Sequence, residues 1–133
     1  MVKEEIKTML APMLTVKNGA AAVDYYTKAF SASVVDRIDA PDGTLIIAIL
    51  SINGASFFVS EEVADKNNVS PESISGKTTV RMELEIPDPD SFARTAIAHG
   101  AKEMFPVKDR DYGRRDGRIV DPFGHQWVIG RGL

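Results

Sequence analysis

His99 and His125 are the only histidines in this 133-residue sequence, and it has no cysteine. Thiolate nucleophiles, disulfides, cysteine–zinc sites and iron–sulfur clusters are thereby excluded. Imidazole titrates near neutral pH and serves as metal ligand or general base. His125 lies in DPFGHQWVIG, directly after a turn glycine. Strand alternation puts it on one face with Trp127 and Ile129, and puts Gln126 and Val128 on the other. It has no partner ligand nearby, so the spacing predicts a hydrogen-bonded histidine at a strand start, with general-base work as its remaining catalytic use. His99 falls at a helix end, where the dipole favours it without any chemistry.

Two other groupings carry charge in a usable pattern. Arg81 and Glu83 are two apart in TTVRMELEIP, so they point the same way from a strand and can pair. A guanidinium released from such a pair can clamp a carboxylate or phosphate through its planar fork. The stretch KDRDYGRRDGR places Tyr112 between basic residues that include Arg115. An aromatic ring beside a guanidinium suits a planar or anionic ligand; a solvated hairpin with self-neutralising charges is the alternative. The sequence has no G-x-S-x-G elbow, no P-loop and no dinucleotide fingerprint.

Positioning these residues requires strands and helices that recur. LTVKNGAAAVDYYTKAFSAS and LEIPDPDSFARTAIAHGAKE share a strand–turn–helix order about seventy residues apart, too long for a solenoid. SINGASFFVS and VDPFGHQWVI match at the same spacing, with Asn53-Gly54 and Phe123-Gly124 as paired turns. Each half reads β-α-β-β-β. The first helix is expected over 19–30 with Asn18 as N-cap. The second is expected over 89–99, with Asp88 as N-cap, Pro89 at the first position and Gly100 as terminator. Val80, Met82, Leu84 and Ile86 form one strand face. TLIIAILSI is apolar throughout, so both its faces are expected to be covered. APDGT reads as a hairpin turn. The polar stretch 61–77 reads as a linker or mobile loop with one short helical turn. The organisation is one domain over 1–133, with a first module over 8–60, a linker over 61–77 and a second module over 78–133.

Composition is that of an ordinary globular domain, 44% hydrophobic and 26% charged. A net charge of −3 argues against nucleic-acid and anionic-membrane partners. No apolar run approaches a membrane span. The N-terminal MVKEEIKTML is charged and lacks a signal-peptide core. A cytoplasmic location is expected from these features.

The ordered set APMLTV, AVDYYTKAF, YGRRDG and DPFGHQW, spread over nearly the whole chain, resembles the vicinal oxygen chelate superfamily. This is the glyoxalase, bleomycin-resistance and dioxygenase group, and the closest likeness is to its PhnB-like branch. The resemblance implies an α+β fold of two tandem βαβββ modules that form a curved-sheet cleft, usually completed in a homodimer. Metal-dependent members carry ligands on the first and last strands of each module. Those places fall on Ala11, Phe58, Arg81 and Val128, none of which ligates a divalent cation. The resemblance therefore implies no metal and no cofactor here.

With those places apolar or basic, the cleft reads as a pocket for an organic ligand. Met13, Ile47, Ile49, Phe58 and Val128 are expected to line it. Arg81, Glu83, Tyr112 and Arg115 are the polar contacts. The expected function is metal-independent binding of a small organic molecule by a homodimer, with an anionic group the one that Arg81 would clamp. A lyase, isomerase or dioxygenase with a divergent site is the alternative, and a degenerate dimerisation module is a second.

Overall fold

Alternation in the sequence becomes two four-stranded sheets, each with one helix packed on it. The computed structural model describes residues 5–133; the first four residues of the charged N-terminal stretch lie outside it. The elements run β1 (Met13–Val16), α1 (Gly19–Ala29), β2 (Ser33–Asp39), β3 (Leu45–Ile52) and β4 (Ala55–Glu61), followed by two short 3-10 turns. They continue as β5 (Arg81–Glu85), α2 (Pro89–Ala98), β6 (Lys102–Asp109), β7 (Arg114–Val120) and β8 (Gln126–Gly132). Strand order is β1-β4-β3-β2 in one sheet and β5-β8-β7-β6 in the other. The two halves thus repeat one topology. In each, the first strand lies parallel to the last and the other pairings are antiparallel.

Helix α1 starts where Asn18 accepts from the Ala21 N–H at 3.0 Å and Glu61, reaching over from β4, accepts from the Gly19 N–H at 2.9 Å. Both bonds satisfy donors that a helix start leaves open. Gly19 is needed for close approach: a Cβ there would lie 2.5 Å from that of Leu45 on β3. Helix α2 starts as expected, with Pro89 at its first position and Asp88 accepting from the Ser91 N–H at 3.1 Å.

Three tight connections share one hydrogen-bond pattern. In 40–44, 110–114 and 121–125, the first N–H donates to the fifth carbonyl, and a left-handed glycine at the fourth position donates back to the first carbonyl. The turn at Asn53-Gly54 is different, with both residues left-handed, as a two-residue hairpin turn demands. The paired-turn expectation for Phe123-Gly124 therefore fails in conformation, although the place in the topology matches.

Several local expectations are corrected. Met82 and Leu84 are buried as predicted, but Val80 precedes β5 and is 60% exposed. Strand β3 buries Leu45, Ala48, Leu50 and Ile52, whereas its other side is only partly covered. The stretch 61–77 holds two 3-10 turns, Ala64–Lys66 and Pro71–Ile74. It is anchored by Ser70, which is fully buried and bonded to Glu62.

Both helices and the inner faces of both sheets contribute to one core. Every aromatic residue except Phe58, Phe105 and Tyr112 belongs to a single cluster within it. Trp127 of β8 meets Phe30 at 4.9 Å, Phe57 at 5.3 Å and Tyr26 at 5.9 Å between ring centroids. Rings of the first half thus surround the one indole, which the second half supplies. Such pairs contribute about 0.5–1.5 kcal/mol each beyond area burial.

Asp121 is buried among these rings. One carboxylate oxygen accepts from the Tyr26 hydroxyl at 2.5 Å and the Trp127 indole N–H at 2.9 Å. The other accepts from the Phe123 and His125 backbone N–H groups at 2.9 and 3.0 Å. Asp121→Ala would strand four buried donors and is expected to cost about 3–5 kcal/mol. Tyr26→Phe removes one of those donors and should cost about 1–2 kcal/mol. Urea unfolding followed by Trp127 fluorescence measures both; losses of similar size would show that Asp121 does not join its donors into one unit.

Candidate functional site

The outward face of the second sheet can be read from its register. Glu83, Val128, Arg118 and Phe105 lie abreast across β5, β8, β7 and β6. The row toward one end is Glu85, Gly130, Asp116 and Lys108; the row toward the other is Arg81, Gln126, Val120 and Lys102. This face is charged. On the first sheet, Met13, Phe58 and Ile49 lie abreast on β1, β4 and β3 and form an apolar row that ends at Asp36 on β2; the row toward one end is Ser56, Ser51 and Ser33.

An open cavity of about 560 Å³ lies over the second sheet. Phe105, Lys108, Tyr112, Asp116, Arg118 and Val128 are among its walls. Asp116, 8% exposed, is its fixed polar centre. The Tyr112 hydroxyl donates to it at 2.8 Å and the Arg110 Nε at 3.2 Å. This hydrogen bond, followed by desolvation and the Asp116 charge, holds the Tyr112 phenol above its ordinary range. Tyr112 is therefore a donor at neutral pH and no base. Arg114 donates to Glu85 at 2.6 Å and lies 4.0 Å from Glu83.

The expected site residues are not gathered in one place. Tyr112 and Val128 share the large cavity. Arg81 and Glu83 line a separate hollow of about 250 Å³ beside Phe57 and Trp127. Met13 borders a groove of about 410 Å³ formed with Pro71, Ile74 and Val80. Phe58 lies on the outward face of the first sheet, beside Met13 and Ile49. Arg81 and Glu83 form no ion pair; among the described residues Arg81 has no carboxylate within 4 Å.

Arg115 is turned the other way. It makes a two-pronged pair with Asp90 at 2.8 and 2.7 Å and donates to Asp109 at 2.9 Å. It joins β7 to the start of α2 and has no place in the cavity. Alternation separates it from Arg114, but two adjacent arginines in YGRRDG do not reveal which one faces outward.

His125 is 8% exposed and lies on the core side with Trp127 and Ile129. Its Nε2 meets the Thr15 carbonyl at 2.8 Å. A carbonyl only accepts, so that nitrogen carries the hydrogen and donates it. The contact joins the start of β8 to β1 in the other half, across 110 residues of sequence. Gly124 supports it: its φ is +93°, and a Cβ there would lie 2.7 Å from that of Pro71.

Sequence reasoning missed Arg118, Lys108, Phe105 and Asp116. Phe105 and Arg118 face each other across β6 and β7, with the guanidinium carbon 5.3 Å from the ring centroid. Alternation from Val128 and the pairing of β7 with β8 could have found Arg118; the bulges in β6 hide Phe105 and Lys108 from any such count.

The places that the resemblance assigns to metal donors are Ala11, Phe58, Arg81 and Val128. Val128 and Arg81 lie diagonally across β5 and β8, and neither ligates. Among the described residues no three His, Cys, Asp or Glu side chains gather in a metal-binding group. The residues present do not fit a divalent cation.

Two tandem βαβββ units, each with its first strand beside its last, define the class of protein. The sequence model of the Glyoxalase/Bleomycin resistance protein/Dioxygenase superfamily matches residues 8–129, and the chain belongs to that superfamily. It is 36% identical over 129 residues to the uncharacterized protein Rv0887c of Mycobacterium tuberculosis, covering 95% of this chain and 75% of that one. Among solved structures it is similar to TioX of Micromonospora sp. ML1, with a TM-score of 0.74 at 25% identity over 96% of this chain and all of that one. The fold is shared with the fosfomycin resistance protein FosX of Listeria monocytogenes, whose crystal structure holds Mn(II) and sulfate. That match has a TM-score of 0.70 at 17% identity over 97% of this chain and 93% of that one.

The Arg115 pair carries a pH signature. Hydrogen bonding from Arg115 is the largest cause holding the Asp90 carboxyl below its ordinary value. A carboxyl with a lowered folded pKa stabilises the fold above its unfolded value, near 3.9, and loses that contribution as pH falls through the folded pKa. Arg115→Gln should therefore flatten the fall in stability below about pH 4. Urea midpoints across the acid range check this; an unchanged acid slope would show that the pair is not coupled to folding.

Proposed function

We propose that this protein binds a small organic anion on the outward face of the second sheet, without a metal. The observation that carries the reading is the donor set. All four places that the superfamily resemblance assigns to metal ligands hold residues that cannot ligate. The outward face of the second sheet, which holds two of those places, Arg81 and Val128, instead presents cationic side chains around an open cavity of about 560 Å³. Concave sites with an apolar floor and a few convergent polar groups are typical of small-molecule binding. Val128 supplies such a floor, and Asp116, Tyr112 and Arg110 a braced polar wall. Arg81 was the expected clamp; its separate hollow makes the larger cavity the better seat.

The reading places the chain in the PhnB-like branch, as a homodimer in the cytoplasm. Support for a dimer comes from apolar side chains exposed on both sheets. Ile38 and Ile46 are half exposed on the first sheet, as is Phe105 on the second. The contiguous apolar row Met13, Phe58 and Ile49 supports the same reading, because contiguous apolar patches usually mark interaction surfaces. Among the described residues no helix is long and apolar enough to cross a membrane.

Two measurements test this. Calorimetric titration of metal-stripped protein with Mn(II), Ni(II) and Zn(II) should show no stoichiometric binding; a tight one-to-one site would overturn the reading. Light scattering at micromolar concentration should give twice the chain mass, and a monomer would remove the dimer from the proposal.

A further inference from the structure

We infer that Arg118 and Lys108 form an anion seat whose occupant is a planar aromatic carboxylate. This rests on the proposed metal-free binding and names the ligand class for that cavity.

Charge bookkeeping around the cavity isolates the pair. Arg110 is neutralised by Asp116 at 3.2 Å, and Asp109 shares Arg115, at 2.9 Å, with Asp90. Arg118 and Lys108 both line the cavity, and neither has a carboxylate within 4 Å among the described residues. The only other charged wall residue is Asp111, in the turn at the rim. Two unpaired cations therefore face the cavity against the rim carboxylate of Asp111 and an Asp109 that Arg115 shares with Asp90.

Arg118 is held ready for a flat, two-oxygen partner. Its guanidinium carbon lies 5.3 Å from the Phe105 ring centroid, where the ring face attracts the cation. Its one hydrogen bond reaches Gln126 at a long 3.4 Å, so most of its donors remain available. A carboxylate matches that fork with two parallel bonds, whereas the Lys108 ammonium adds a point charge. Lys108 and Arg118 belong to neighbouring rows of the same two strands, so one anionic group can lie between them.

The body of the ligand follows from the apolar walls. Among the aromatic residues, Phe58, Phe105 and Tyr112 alone stand outside the core cluster, and Phe105 and Tyr112 both line this cavity. Val128 forms the floor between them. An aromatic ring attached to the carboxylate would lie on Val128 and reach the Tyr112 ring, where stacking is favourable. An inorganic anion would leave those walls unused.

The test uses 2-naphthoate, its neutral analogue 2-naphthamide, and inorganic phosphate, on the full metal-stripped chain, followed by NMR shift titration. Naphthoate should bind, shifting Arg118, Lys108 and Val128 signals, and the amide should bind about tenfold or more weakly. Arg118→Gln should weaken naphthoate about tenfold or more, Arg118→Lys less, and Lys108→Gln by several-fold. Arg94→Gln on α2 serves as the unaffected control, and a dispersed spectrum shows that each variant is folded. Equal binding of the amide, phosphate binding as tightly as naphthoate, or no naphthoate binding at millimolar concentration would each overturn the seat. Loss of binding in Arg81→Ala with Arg118→Gln unaffected would overturn the seat but leave metal-free binding standing. Naphthoate binding only after Mn(II), Ni(II) or Zn(II) is added would overturn both.

Discussion

One buried carboxylate holds the two halves in register. Asp121 belongs to the turn before β8, yet its strongest side-chain donor, Tyr26, comes from the first helix. Its other donors come from its own turn and from Trp127. A buried carboxylate without a cation is tolerable only when its oxygens are well supplied with donors. Four donors meet that need here, one from α1, one from β8 and two from the turn itself. Burial and the neighbouring Asp121 charge hold the Tyr26 phenol well above its ordinary range, so the proton on which the link depends stays in place. His125 adds a second link from the same turn to β1. DPFGHQW is therefore chiefly an assembly device between modules, and its histidine is occupied by structure.

This arrangement explains how strand faces divide between stability and function. Inner faces must fit one aromatic cluster around Trp127, so their residues are set by shape and by a small number of buried donors. The outward faces carry no such constraint. On the first sheet the central outward row is apolar; on the second the rows are charged and braced from below by Asp116. The Arg110–Asp116–Tyr112 contacts cost conformational freedom at the hairpin tip, and in return the cavity wall has a defined form before any ligand arrives, which lowers the ordering cost of binding.

Local structure was largely legible in the sequence because local rules govern it. The caps at Asn18 and Asp88, the alternation of Met82 and Leu84, and the glycine turns all depend on residues within a few positions of one another. The repeated strand–helix order disclosed the two-sheet topology. Long-range pairings were not legible. Nothing near His125 announces Thr15 as its partner, and nothing near Arg115 announces Asp90. Val80 continues the apolar alternation but falls before the strand begins, where no neighbour covers it. Arg81 and Glu83 have the spacing to pair, yet Glu83 lies nearer Arg114, which arrives from a strand two places away in the sheet.

The same limits explain why the candidate site was only half found. Tyr112 and Val128 were accessible because one lies in a turn and the other on a regular strand. Arg118 needed the register between β7 and β8, and Phe105 and Lys108 needed the bulges of β6, each of which shifts the facing of every later residue. Irregular pairing is where alternation loses its power to assign a face. It is also where a sheet re-aims side chains toward a common point, so the residues that sequence periodicity is least able to place are those that converge on this cavity.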